Sequence, residues 1–198
     1  MKKTKHLIGI ITSILIIVSL STSILLSSIN ESSLLTEYIL NFCTYSSYTL
    51  IFVLLRNLIV KDFKHRELNI VMILIAYSYG IFSALNIVSI FIPVNTLLII
   101  LMIGDSVLVF LFYIMFINKI FRIDKAELPY IEFLKNFGLI YLVIVLGQII
   151  ISMVIEFSQS HPVGFLEYML PVFPVFFLLM FFIKMYSQKD EVDYFNSL

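Results

Sequence analysis

A chain of 198 residues that is 61% hydrophobic and 13% charged, with no net charge and a mean hydropathy of +1.05, cannot hide its apolar surface in a water-soluble globule. It reads as an all-α, polytopic membrane helix bundle, multi-pass in the cell (cytoplasmic) membrane. The single cysteine, Cys43, excludes a disulfide framework, a CxxC redox pair and a thiolate metal cluster, and within an apolar run it is expected as a small buried hydrophobe.

Six spans are expected at about 7–29, 34–60, 68–92, 94–118, 137–156 and 164–185, in one membrane domain covering 1–198, with an interfacial elbow at 119–136. The first follows the basic start MKKTKH. It is longer than a signal-peptide core of roughly 7 to 15 residues and lacks an A-x-A site after it, so it is expected to be retained. Its Ser19, Ser23 and Ser27 form a small-residue ridge suited to helix packing. In the second span Glu37, Asn41, Tyr45 and Tyr48 recur at spacings of 4, 4 and 3, on one helical face. In the third, Tyr79, Ser83 and Asn86 do the same.

The fourth span contains one charge, Asp105. At about 1.5 Å per residue from Asn95 it lies about 15 Å down, the middle of a ~30 Å hydrocarbon core. An acid there costs roughly 2.5 to 3.5 kcal/mol on insertion scales, so it must face the protein interior or carry a proton. The elbow mixes bases, acids and apolar residues around Pro129. Phe121, Leu128, Ile131 and Leu134 are expected to dip into lipid while Lys119, Arg122, Lys125 and Lys135 meet headgroups. The fifth span carries Tyr141, Gln148, Ser152 and Glu156 at spacings of 7, 4 and 4. The sixth contains Pro171 and Pro174, which predict a kink or break in its outer half.

All 13 Lys and Arg fall at the N-terminus, after span two, after span four and at the C-terminal end. These segments alternate onto one side, so both termini are expected in the cytoplasm. The excess of Ile, Phe and Lys over Ala, Gly and Arg is the composition expected of an AT-rich bacterial source.

No HExxH, GxSxG, phosphate-binding glycine loop or dinucleotide fingerprint occurs. His6, His65 and His161 are too far apart to pair within the bilayer, so no metal and no cofactor is expected. The chemistry lies in the polar stripes, which are expected to converge in the outer half of the bundle. The candidate ligand-binding residues are Asp105, Gln148, Glu37, Asn41, Asn86, Tyr79, Glu156 and Glu167, with Tyr45 and Tyr48 as walls. Gln148 and Tyr79 are the expected partners of Asp105. Such an acid-rich, base-free hollow favours a cation, an amine or a polyhydroxyl solute.

The expected function is that of a small-solute binding or transport component working with a partner. The alternative is a non-enzymatic scaffold, sensor or immunity-type protein acting through helix-helix contacts. The expected partners are the lipid bilayer and a protein docking at the elbow, with no nucleic acid.

Overall fold

The computed structural model describes residues 2–28, 33–92, 96–158 and 170–195, and among these no strand occurs. Six helices account for them: α1 (Lys2–Ser28), α2 (Leu34–Arg56), α3 (Asn69–Phe91), α4 (Thr96–Ile120), α5 (Ile131–Ser158) and α6 (Val172–Phe195). Each packs on its neighbours in sequence, and α1 against α6 closes the ring. Four stretches are long and apolar enough to cross a membrane: Thr4–Leu26, Leu34–Asp62, Arg66–Phe91 and Thr96–Ile120. The apolar part of α6, Val172–Ser187, is shorter.

Local chemistry sets the helix ends. Ser33 caps α2 by accepting a hydrogen bond from the Thr36 amide at 3.2 Å. At its other end α2 widens into a π-helical stretch, Asn57–Asp62, before a turn through Lys64 and a 3-10 turn, Arg66–Leu68, lead into α3. Hydroxyls buried in α1 satisfy themselves on carbonyls four residues back, Thr12 on Ile8 at 2.7 Å and Ser13 on Gly9 at 2.8 Å. Ser19 of the small-residue ridge is buried and Ser23 half-buried, whereas the Ser27 side chain lies outside the described residues. At Gly9 α1 passes so close to α6 that any Cβ would collide with the buried ring of Phe182.

The helices are apolar beyond their inward stripe. On α4 the buried positions Val109, Tyr113, Phe116 and Ile120 follow one face, while Ile100, Ile103, Val107, Leu111 and Ile114 are exposed. An apolar surface of that extent has to meet lipid or another apolar partner.

Three expectations are corrected. The elbow is shorter than 119–136, because α4 runs to Ile120 and α5 begins at Ile131. Glu132 in its first turn is favourable there. Of the elbow residues expected to dip into lipid, Leu128, Ile131 and Leu134 are fully buried in the protein core with Ile123, and only Phe121 is exposed. Their spacing describes a face but does not say what the face meets. Pro171 precedes α6 and Pro174 sits in its first turn, where a missing amide costs no intrahelical bond; the kink or break expected in the outer half of span six falls partly on residues 164–169, which lie outside those described. Cys43 is exposed, on the outward face of α2 shared with Ile39 and Leu50 and opposite Tyr48, Ile51 and Leu55.

Candidate functional site

Between α3, α4 and α5 lies a cavity of about 210 Å³, with Tyr45 contributed by α2. Its polar groups are the side chains of Tyr45, Tyr79, Tyr113, Tyr141 and Ser106. The remainder of the lining is Phe82, Val109, Phe110, Leu142 and Val145. Helical register explains the assembly: Tyr79 and Phe82 are three apart on α3, Ser106, Val109 and Tyr113 follow at 3 and 4 on α4, and Tyr141 and Val145 at 4 on α5.

Tyr79 is the hub. Its hydroxyl lies 3.1 Å from that of Tyr113 and 2.7 Å from that of Tyr141, linking α3 to α4 and α5 by polar contacts deep in the bundle. The Tyr113 and Tyr141 rings stack at a centroid distance of 4.2 Å, and Tyr48 stacks on Tyr79 at 4.8 Å. Tyr48 differs from the others in that its buried hydroxyl has no hydrogen-bond partner among the described residues. Orphans of this kind are rare in folded proteins and call for an explanation.

Asp105 lies on α4 one turn before Val109, and only 6% of it is exposed. The polar side chain that acts on its carboxyl group is that of Ser78 of α3, rather than Tyr79, whose hydroxyl meets those of Tyr113 and Tyr141. The two residues are adjacent in sequence but about 100° apart around the helix, which turns Tyr79 to the cavity and Ser78 to Asp105. The second carboxylate oxygen, Oδ2, is buried and unpaired among the described residues. Asp105 does not line the cavity, and no charged side chain does so among the described residues.

The other candidates are dispersed. Asn86 is buried, and its amide donates to the Phe82 carbonyl of its own helix at 2.8 Å. Ser83, in the same stripe, instead meets Ser46 of α2 at 2.6 Å. Glu37 and Asn41 are half-buried on the first two turns of α2. The side chains of Gln148 and Glu156 on α5 lie outside the described residues, as does Glu167 altogether.

Three residues at or beside the candidate site went unmarked in the sequence: Tyr113, Ser106 and Ser78. Tyr113 stands eight residues after Asp105, on nearly the same helical face, and tracing hydroxyls along α4 as well as charges would have found it. The two serines carry no sequence signal, because isolated serines in spanning helices commonly bond back to their own backbone, as Ser106 does to Met102 at 2.8 Å.

With these groups the site can bind and orient, by hydroxyl hydrogen bonds and ring stacking. Comparison with protein-family models, curated proteins and solved structures finds no match to this chain.

Proposed function

We propose that the chain is a six-span membrane protein, with both termini on the basic, cytoplasmic side, that binds a small, uncharged, ring-bearing or hydroxylated solute among its central tyrosines. One observation carries this reading: a cavity of about 210 Å³ between α3, α4 and α5, lined by tyrosine side chains and by no charge among the described residues. Its size suits one small ring, since a cavity of about 150 Å³ accommodates benzene.

The orientation draws support from the way one end of the bundle is stitched together. Lys5 pairs with Asp62 at 3.3 Å and Lys119 donates to the Glu67 carbonyl at 2.6 Å, joining the N-terminus and two basic connections. A protein partner is proposed at the exposed outer face of the elbow, around Arg122, Asp124 and Glu127.

Thermal melting of the full chain in detergent, with a panel of small neutral rings, polyols and amines, tests the binding reading. A ligand at 100 times its Kd should raise stability by about 2.7 kcal/mol. Val109→Phe, which fills the cavity, should abolish that response, and Tyr79→Phe should weaken it. The competing reading, a scaffold whose tyrosines are interhelical glue, rests on Tyr79 being satisfied by Tyr113 and Tyr141. It prevails if no compound protects the wild type and Val109→Phe melts higher.

A further inference from the structure

A second depression lies on the outer surface, apart from the tyrosine cavity. It is a trough of about 360 Å³ between α2 and α3, running from Arg56 at the basic end to Thr49 and Tyr77. The floor is made by Ala76 and Met72, both buried, and Ala76 leaves the space that a larger residue would fill. The rims are Val53, Ile73 and Tyr77, with exposures of 39%, 43% and 70%. From Arg56 to Thr49 the trough follows two turns of α2, about 10 Å of helix. It is apolar along that length and carries one charge, at one end.

Arg56 is held in place. Its Nε donates to Asn69 Oδ1 at 2.7 Å, which fixes the guanidinium plane. The two terminal nitrogens have no hydrogen-bond partner among the described residues, and a guanidinium fork of this kind fits a phosphate through paired N–H groups. Lys61, Lys64 and Arg66 are exposed on the same connection. The nearby acids are engaged, Asp62 by Lys5 and Glu67 by His65. The mouth of the trough therefore favours an anion, and its length favours a hydrocarbon chain.

We propose that this trough seats an anionic glycerophospholipid of the basic-side leaflet, with its phosphate on Arg56 and one acyl chain lying along Val53, Ala76 and Tyr77. The inference rests on the chain spanning a membrane and is independent of any ligand in the tyrosine cavity. A basic group at the cytoplasmic end of an interhelical pocket is the arrangement that retains anionic lipids.

The test uses the full chain in nanodiscs of phosphatidylcholine, titrated with phosphatidylglycerol, with retained lipid counted by native mass spectrometry. A cooperative melt in phosphatidylcholine alone establishes the folded membrane state before any lipid is compared. Wild type should retain phosphatidylglycerol over phosphatidylcholine. Arg56→Gln should weaken that retention about ten-fold or more, the effect of losing hydrogen bonds to a charged group. Ala76→Leu, which fills the trough without changing charge, should do the same, while Arg66→Gln should change it little. Should Arg56→Gln fail to fold for want of its Asn69 bond, Ala76→Leu and Tyr77→Ala carry the test. Equal retention of the two lipids, or equal losses in Arg56→Gln and Arg66→Gln, overturns the proposal. So does loss of a dimer mass in Ala76→Leu, which would make a second copy the occupant.

Discussion

The basic end of the bundle and its middle are built on opposite principles. At the basic end polar groups are spent on backbone: Lys119 donates to the Glu67 carbonyl at 2.6 Å and Lys135 to the Ile123 carbonyl at 2.7 Å. Beneath them Ile123, Leu128, Ile131 and Leu134 form an apolar plug with at most 2% exposure. The middle instead keeps a cavity, a tyrosine hydroxyl without a partner and a carboxylate oxygen without one among the described residues. Lysines that the positive-inside rule alone would place on this side also terminate connections whose carbonyls have no helical partner. The basic end is not wholly satisfied either, since His65 Nε2 is buried without a hydrogen-bond partner among the described residues, but it is closed by its plug, whereas the middle sets its unsatisfied atoms beside a cavity.

The largest effect should come from breaking the plug. Leu134→Ala removes a fully buried side chain and should cost about 2 to 5 kcal/mol, whereas Phe121→Ala, on the exposed side of the same elbow, should cost under about 1 kcal/mol. Detergent-phase melting of the two variants is the measurement. Equal losses would mean that the elbow is anchored by lipid, as its sequence pattern alone implies, and the contrast between the two ends would weaken.

In the middle, Asp105 tests the reverse expectation. Even a full interhelical hydrogen bond to Ser78 would be worth about 0.6 kcal/mol by the average of comparable pairs, less than the roughly 2.5 to 3.5 kcal/mol that an acid costs at the centre of a spanning helix. Asp105→Leu should therefore raise the melting temperature, and Asp105→Asn, which keeps an acceptor for Ser78, should sit between the two. A stabilising change at the most polar point of the core is the mark of a residue kept for something other than folding. A melting temperature lowered in both variants would make Asp105 structural.

How much of this was legible follows from what a period can encode. The charge-free runs located α2, α3 and α4 to within a few residues, whereas α5 begins before its expected span and α6 runs well past the end of its own, and the stripe Tyr45, Tyr48, Tyr79 and Tyr141 pointed to side chains that do gather. Periodicity assigns residues to a face of one helix, but the neighbour that face meets is a property of the ring. So Asp105 could be assigned to the interior, yet not to Ser78; Leu128 and Leu134 could be assigned to an apolar face, yet not to the core. Cys43 was misjudged for the same reason, since an apolar run reads alike on its lipid side and its inner side.

The smallest effect concerns the turn after α2. Lys64 has φ of 64°, and the amides around it, Phe63 to the Leu58 carbonyl at 3.2 Å and His65 to the Ile59 carbonyl at 3.1 Å, close the π-helical stretch as a left-handed residue closes an ordinary helix. That position usually holds glycine, because a Cβ there costs about 1 to 2 kcal/mol. Glycine is more costly to order, by roughly 0.5 to 1 kcal/mol, so Lys64→Gly should gain only about 0.5 kcal/mol. Lys64 is exposed, so no packing is lost, and Lys64→Gln, which removes the charge but keeps the Cβ, should change nothing. Tyr130 supplies the contrast across the same end of the bundle. It has φ of 59° but is half-buried against the core, so Tyr130→Gly should relieve the same backbone and still lose stability. If both glycine variants melt higher, the Tyr130 ring contributes nothing to the plug. If both melt lower, the left-handed turns are not under strain, and the lysine-to-carbonyl bonds beside them have no strain to offset.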